Sequence, residues 1–329
     1  MNSSNKILTV SVAAYNVSAY IRKNLDSCIV PEIMDDLEVI VVDDGSKDNT
    51  AQIVQEYVDR YPNTFRLISK ENGGYGTTVN QSVAAARGKY FKILDGDDWF
   101  DPAALKHLIE LARSQNADWI VTRYTEVIGE DGPATELIPK WEQYEGRTVK
   151  INEVQGIFSV GMWPLTVKTD LLRKVHLQLP PHTLYTDQIF AVSTLPIAED
   201  VLFDSASVYQ YRLGRDGQSV SPESRIKHFD DTCRVFDILL DIYLKSGEKN
   251  HAQMVSRLER YYYALIRTIF LMKPSADNKK LLQTYEERIK KEAPEIYALC
   301  PKRSKKVLLM RMTNYLAYYL FAGREKNWS

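Results

Sequence analysis

Over about the first 125 residues the chain alternates short apolar runs with amphipathic stretches. Lys6 to Ala13 and Leu37 to Val42 are apolar, β-branched and bounded by polar segments, the pattern of strands buried on both faces of a parallel sheet. Between them, Ala19 to Val30 sets Ile21, Leu25, Cys28 and Ile29 on one helical face, with Arg22, Lys23 and Asp26 off it. A helix over Thr50 to Tyr61 leads to a strand over Phe65 to Ser69. A helix over Thr77 to Ala86, ended by Gly88, leads to a strand over Tyr90 to Leu94. With a helix over Pro102 to Ser114 and a strand over Asp118 to Thr122, five strands alternate with helices, which predicts an α/β, Rossmann-like, mostly parallel sheet flanked by helices.

After Glu126 the alternation weakens. Glu130-Asp131-Gly132-Pro133 reads as a turn, and the stretch to Lys150 as irregular structure with short strands. From about Glu223 helical periodicity takes over, across Ile226 to Leu244, His251 to Leu271, Asn278 to Lys291 and Val307 to Phe321. The expected organisation is an α/β domain over 1–222 and a helical region over 223–329.

Ligands of such sheets bind at the carboxyl ends of the strands. Those ends read Tyr15-Asn16, Asp43-Asp44-Gly45-Ser46, Asn72-Gly73-Gly74-Tyr75-Gly76 and Asp95-Gly96-Asp97-Asp98, so the candidate groups converge on one rim. Alternation points Asp95 and Asp97 the same way, and such carboxylates suit Mg²⁺ or Mn²⁺, hard ions that keep waters and bridge to substrate phosphates. The plain alternative is an acidic loop capping the helix that starts at Pro102. An EF-hand is excluded, because Phe100 and Lys106 stand where its glycine and glutamate belong. The glycines of the 72–76 loop let a ligand approach the main chain. They lack the spacing of a Walker loop or of a GxGxxG after the first strand, so NTPase and dehydrogenase readings fall away.

Composition limits the partners. Lys plus Arg number 42 against 43 Asp plus Glu, so no overall field favours nucleic acid. Cys28, Cys233 and Cys300 are far apart and form no metal-ligand spacing, as expected of reduced thiols in a cytoplasmic protein. The polar Met1 to Lys6 stretch lacks the pattern of a secretory signal, and Val307 to Ala322, interrupted by Arg311 and Asn314, is too short to span a bilayer.

Four segments together, Ser11-Val12-Ala13-Ala14-Tyr15-Asn16, Val41-Val42-Asp43-Asp44-Gly45-Ser46, Glu71-Asn72-Gly73-Gly74 and Leu94-Asp95-Gly96-Asp97-Asp98, resemble in order and spacing the family 2 inverting glycosyltransferases of GT-A fold. The resemblance covers roughly residues 6 to 125. It implies a nucleotide-diphosphate sugar donor, commonly a UDP-sugar, a Mn²⁺ or Mg²⁺ ion, and inversion at the anomeric carbon. It further implies a saccharide or lipid-linked acceptor, as in bacterial surface polysaccharide synthesis. By that similarity Tyr15 and Asp44 would contact the base, Asp95 the ribose side and Asp97 the metal. Ala13, Gly74, Asn80 and Gly96 would complete the donor site. Ala13 departs from the hydroxyl residue that relatives often carry there.

An inverting transferase needs a base for the acceptor hydroxyl. Tyr185-Thr186-Asp187-Gln188-Ile189-Phe190 resembles the family's acid at a helix start and implies Asp187 in that role, with Asp98 the alternate. The stretch from Tyr211 to Ser221 resembles a loop that closes over the diphosphate, with Arg212 or Arg215 as the cation. It also reads as a simple turn. Trp163 and Tyr185 are candidates to stack on a sugar ring, although a core position suits Trp163 as well. Lys302-Arg303-Ser304-Lys305-Lys306 ahead of Val307-Leu308-Leu309-Met310 suits an anionic membrane surface, placing the chain on the inner face of the cell membrane. It equally suits packing on its own domain or across a homodimer. A sugar nucleotidyltransferase is the rival enzyme class, but Ala13-Ala14-Tyr15-Asn16-Val17 lacks its basic, glycine-rich loop. A non-catalytic nucleotide-sugar binder would leave Asp187 remote from the Asp95/Asp97 rim.

Overall fold

The first apolar run folds as β1 (Lys6–Ala14), and the second as β2 (Leu37–Asp43), which is buried along its whole length. The computed structural model describes residues 6–129, 132–137, 141–154, 160–214 and 221–324. Its contacts divide the chain into two units, Met1–Arg215 and Asp216–Ser329. The boundary expected after 222 falls just inside the second unit, where Ser221 caps a helix that starts at Pro222.

In the first unit, α1 (Ile21–Asp26) is shorter than its apolar periodicity suggests, because Pro31 holds Val30 extended and a 3₁₀ turn over Pro31–Ile33 follows. The next elements are α2 (Thr50–Arg60), β3 (Phe65–Ser69), α3 (Tyr75–Ala85) and β4 (Gly88–Asp95). A short β5 (Trp99–Phe100), α4 (Pro102–Ser114) and β6 (Trp119–Ile128) come after them. Leu8, Val10, Val12, Val39, Val41 and Leu94 build one core with Ile21, Leu25, Val54 and Leu105 from the helices on that face.

The stretch with weak alternation is more ordered than its pattern suggests. It holds β7 (Ala134–Leu137), β8 (Thr148–Lys150), β9 (Leu165–Lys168), α5 (Thr169–Lys174), α6 (Asp187–Ser193) and the long β10 (Asp200–Leu213). The sheet runs β3-β2-β1-β4-β9-β6-β10-β5, with β7 on β6 and β8 on β10. β1 to β4 pair in parallel, and so do β6 and β10. The fold class stands as mixed α/β with a mostly parallel centre, but the simple succession of five strands does not. β9 inserts antiparallel between β4 and β6, pairing Val167 with both Phe91 and Trp119.

The second unit is helical: α7 (Pro222–Lys227), α8 (Phe229–Lys245), α9 (His251–Leu271), α10 (Ala276–Glu292), α11 (Pro294–Arg303), α12 (Lys305–Met312) and α13 (Tyr318–Phe321). The single helix expected over Val307 to Phe321 is broken because Asn314 and Tyr315 take left-handed backbone conformations, with φ of 45° and 63°. Two charged contacts staple its later helices. Arg303 grips Glu259 through Nε and Nη2 (2.7 and 2.6 Å), and Arg311 pairs with the fully buried Glu286, which also accepts from the Tyr262 hydroxyl. Among the described residues no helix is long and apolar enough to cross a membrane.

Candidate active site

The parallel strands deliver their polar ends to one rim, where register sets Ala13 beside both Val42 and Asp95 and Ala14 beside Asp43. Tyr15, 50% exposed, follows directly. Asn16 takes a left-handed turn and is tied across to the β2 end. Its N–H donates to Ser46 Oγ (3.0 Å), and its Oδ1 accepts from the Lys47 N–H (2.8 Å). Asp48 accepts from the Ser18 and Thr50 N–H groups (3.0 Å each). Burial works to raise the Asp48 carboxyl, but the bonds from Thr50 and Ser18 outweigh it and hold the pKa at about 2.

Asp44 is buried and organises the glycine loop. Its Oδ1 accepts from Lys70 Nζ (2.5 Å) and the Gly73 N–H (2.9 Å), and its Oδ2 from the Gly74 N–H (2.8 Å). The carboxylate that family resemblance assigns to the base thus also holds the glycine loop, and Oδ2 keeps room for a further donor. Gly74, expected in the donor site, has φ of 83°, and a Cβ there would lie 2.9 Å from the His182 nitrogen. His182 in turn donates its N–H to the Gly73 carbonyl (2.8 Å). Gly74→Ala should cost about 2 kcal/mol from its glycine-only backbone conformation alone, read as a lower urea midpoint at unchanged slope. Asn80 spends its side-chain amide on Leu179, donating to its carbonyl and accepting from its N–H (2.9 Å each). Its part is to pin the 179–182 segment to α3.

The Asp95-Gly96-Asp97-Asp98 turn is fixed mostly through its main chain. Asn24 Nδ2 donates to the carbonyls of Asp95 (2.8 Å) and Asp98 (2.9 Å), and the Asp95 N–H donates to the Tyr209 hydroxyl oxygen (3.1 Å). Gly96 is required by crowding, since a Cβ would meet the Ala13 carbonyl at 2.7 Å. Asp98 is only 2% exposed; its oxygens accept from the Tyr209 hydroxyl (2.6 Å) and the Arg212 N–H (2.8 Å). Burial, then the charges of Asp95 and Asp97, push its carboxyl well above the usual range. So placed, Asp98 anchors the turn and is poorly suited to the alternate base role. Asp95 and Asp97 remain half-buried on the rim, as strand alternation predicts.

Arg212 corrects the loop expectation. Tyr211 and Arg212 belong to β10, and the buried Arg212 side chain donates through Nε to the Asp97 carbonyl (2.9 Å) and through Nη1 to the Gly129 carbonyl (3.2 Å). Its guanidinium lies 5.0 Å from the ring centroids of Tyr20 and Trp99, a further sign of a structural clamp. Arg215, the other candidate for the diphosphate, lies outside the described residues.

Asp187 is the first residue of α6, and its Oδ2 accepts from Gln188 Nε2 (2.6 Å). Its charge also acts on Tyr75, which opens α3 directly after the glycine loop. Burial, then the charge of Asp95 and a hydrogen bond to it, then the charges of Asp187 and Asp98, raise the Tyr75 hydroxyl well above its ordinary pKa. In the structure the hydroxyl donates to Met162 Sδ (3.4 Å). Trp163 stacks on Tyr211, with centroids 4.6 Å apart and planes at 28°. Lys92, buried in the sheet, holds the Trp163 carbonyl (2.6 Å), and burial brings its pKa down to about 7.

For a divalent ion the oxygen-only character of Asp95 and Asp97 fits Mg²⁺ or Mn²⁺. Among the described residues no group of three or more His, Cys, Asp or Glu forms a protein-only cage, so such an ion would draw further ligands from water and phosphate.

Residues 9–165 match the description Glycosyl transferase family 2. An uncharacterized glycosyltransferase of Mycoplasma pneumoniae is 28% identical over 233 residues, 69% of this chain and 76% of that protein. EpsH of Bacillus subtilis, also described as a glycosyltransferase, is 27% identical over 213 residues, 63% of this chain and 60% of its own length. The crystal structure of S. aureus TarS 1–349 in complex with UDP-GlcNAc superposes with a TM-score of 0.71 at 20% identity, covering 95% of this chain and 89% of that one. With the carboxylate rim and strand order described above, these likenesses mean that residues 9–165 form a glycosyl transferase family 2 domain, on a fold of GT-A type shared with TarS.

Proposed function

We propose that the chain transfers a sugar from a nucleotide-diphosphate sugar, with UDP the favoured nucleotide, to a hydroxyl of a saccharide or lipid-linked acceptor, with inversion at the anomeric carbon. The observation that carries the reading is the pair of half-buried carboxylates, Asp95 and Asp97, on the turn that follows β4 at the carboxyl ends of the parallel strands, inside the stretch that matches family 2. The co-crystallised UDP-GlcNAc of TarS supports the choice of uridine.

In this mechanism Tyr15 flanks the base, the Asp95 side takes the ribose, and Asp97 would hold Mn²⁺ or Mg²⁺ on the diphosphate side of the donor. The ion, when bound, neutralises charge that builds on the departing diphosphate. Asp187 accepts the acceptor's hydroxyl proton while that oxygen bonds to the anomeric carbon. The bond from the anomeric carbon to the phosphate oxygen breaks, and its electron pair leaves with the nucleoside diphosphate. The stacked Trp163–Tyr211 pair offers an apolar face beside the carboxylates on which a sugar ring can lie.

A panel of nucleotides and nucleotide sugars, each with Mn²⁺ or Mg²⁺, tests the reading by thermal unfolding and by donor hydrolysis. UDP and one UDP-sugar should raise the melting temperature, with a stabilisation of about 2.7 kcal/mol at about a hundred times Kd. Protection by no nucleotide, or by mononucleotides and diphosphates indifferently, would defeat it.

A further inference from the structure

We infer that the outward face of α12 and α13 docks on an anionic lipid bilayer surface. Within its own unit α12 has an ordinary inner face, with Val307 and Met310 buried and Arg311 held by Glu286. Its opposite face is not polar, as an exposed helix in water would have it. Leu308 is 45% exposed, Leu309 43%, Met312 74%, and Leu316 in the following turn 70%. At 100° per residue these α12 side chains fall on one arc centred between Lys305 and Met312, directly opposite the buried arc. An apolar arc of this kind on a helix whose inner side is already packed marks a surface that something covers.

Charge identifies the cover. The whole chain is nearly neutral, yet the 24 residues from Pro301 to Arg324 contain no Asp or Glu. Two of the cations there, Arg303 and Arg311, are matched by Glu259 and Glu286 of the same unit. Lys302, Lys305 and Lys306 stay on the exposed side, at the start of the same helix whose outward face is leucine and methionine. A surface that is apolar at its centre and cationic at one end complements a layer that is negatively charged outside and hydrocarbon beneath. Leucines enter the acyl boundary while the lysines remain among the headgroups.

Flotation of the full-length protein with phosphatidylcholine vesicles, with and without phosphatidylglycerol, tests the assignment. The protein should float with the anionic vesicles, lose binding as salt rises, and remain at the bottom with pure phosphatidylcholine. Lys302→Gln, Lys305→Gln and Lys306→Gln together should lower partitioning about a hundredfold, each lysine being worth about fivefold. Leu308→Ser, Leu309→Ser and Met312→Ser together should abolish it. These side chains are exposed, so both triples should keep the parent's circular dichroism and its UDP-dependent thermal protection. That protection separates failure at this surface from failure of the transferase reading. No flotation of the parent, equal flotation of either folded triple, or a parent dimer that the apolar triple dissociates would overturn the inference.

Discussion

Replacing Asp97 by asparagine is expected to remove nearly all turnover while leaving the fold intact. The turn that carries Asp97 is set by main-chain contacts. Arg212 Nε donates to the Asp97 carbonyl, Asn24 holds the carbonyls on either side, and the neighbouring Asp98 supplies the buried anchor. An Asp97→Asn side chain keeps the shape and loses only the charge. Stability should therefore move by no more than about 0.5 kcal/mol. The charge, however, is what a hard divalent ion needs, and the remaining rim supplies little to replace it. A fall in kcat/KM of about a thousandfold, equivalent to about 4 kcal/mol, is the expected outcome. Titration of UDP with and without Mn²⁺ gives the sharper test. The variant should bind UDP as weakly in the presence of the ion as the parent does in its absence. Turnover near the parental level would remove Asp97 from the ion site.

Much of this site is legible in the order of residues along the chain, for a physical reason. A strand buried on both faces must be apolar over its length, so the first polar residue after it marks the rim. Leu94 followed by Asp95, and Val42 followed by Asp43, are such marks. The groups that hold the rim in shape leave no such trace. Asn24 lies on a short helix where asparagine has no periodic meaning, and Tyr209 reads as one more apolar position of β10. Each becomes informative only through partners more than seventy residues away in sequence. β9 is illegible for a related reason. Four residues, Leu165 to Lys168, carry too little pattern to distinguish strand from helix start, and their place between β4 and β6 is fixed by long-range pairing. Arg212 shows the opposite error. Its neighbours Gly214, Asp216 and Gly217 suggest a loop, whereas the strand runs on to Leu213 and carries the arginine inward.

Asp187 is the residue on which sequence pattern alone says least, and its replacement by asparagine is the prediction that separates acceptor chemistry from donor binding. Asp187 opens α6, and its neighbour Gln188 donates to Oδ2, a bond that the Asp187→Asn carboxamide can still accept. The helix start should therefore persist, and with it the 179–182 segment that Asn80 pins against α3. In the proposed role the residue acts on the acceptor's proton, so donor affinity should not change, and the metal-dependent stabilisation by UDP should match the parent within twofold. Transfer should fall by about two to four orders of magnitude, the usual contribution of a positioned base. The fall should lie in kcat more than in KM for the donor, since a base acts in the transition state and contributes little to holding the ground-state complex. The two variants then form a matched pair. Asp97→Asn loses UDP binding and turnover together, whereas Asp187→Asn keeps the first and loses the second. If Asp187→Asn instead weakens UDP binding as Asp97→Asn does, the carboxylate belongs to the donor site and the base must be sought elsewhere.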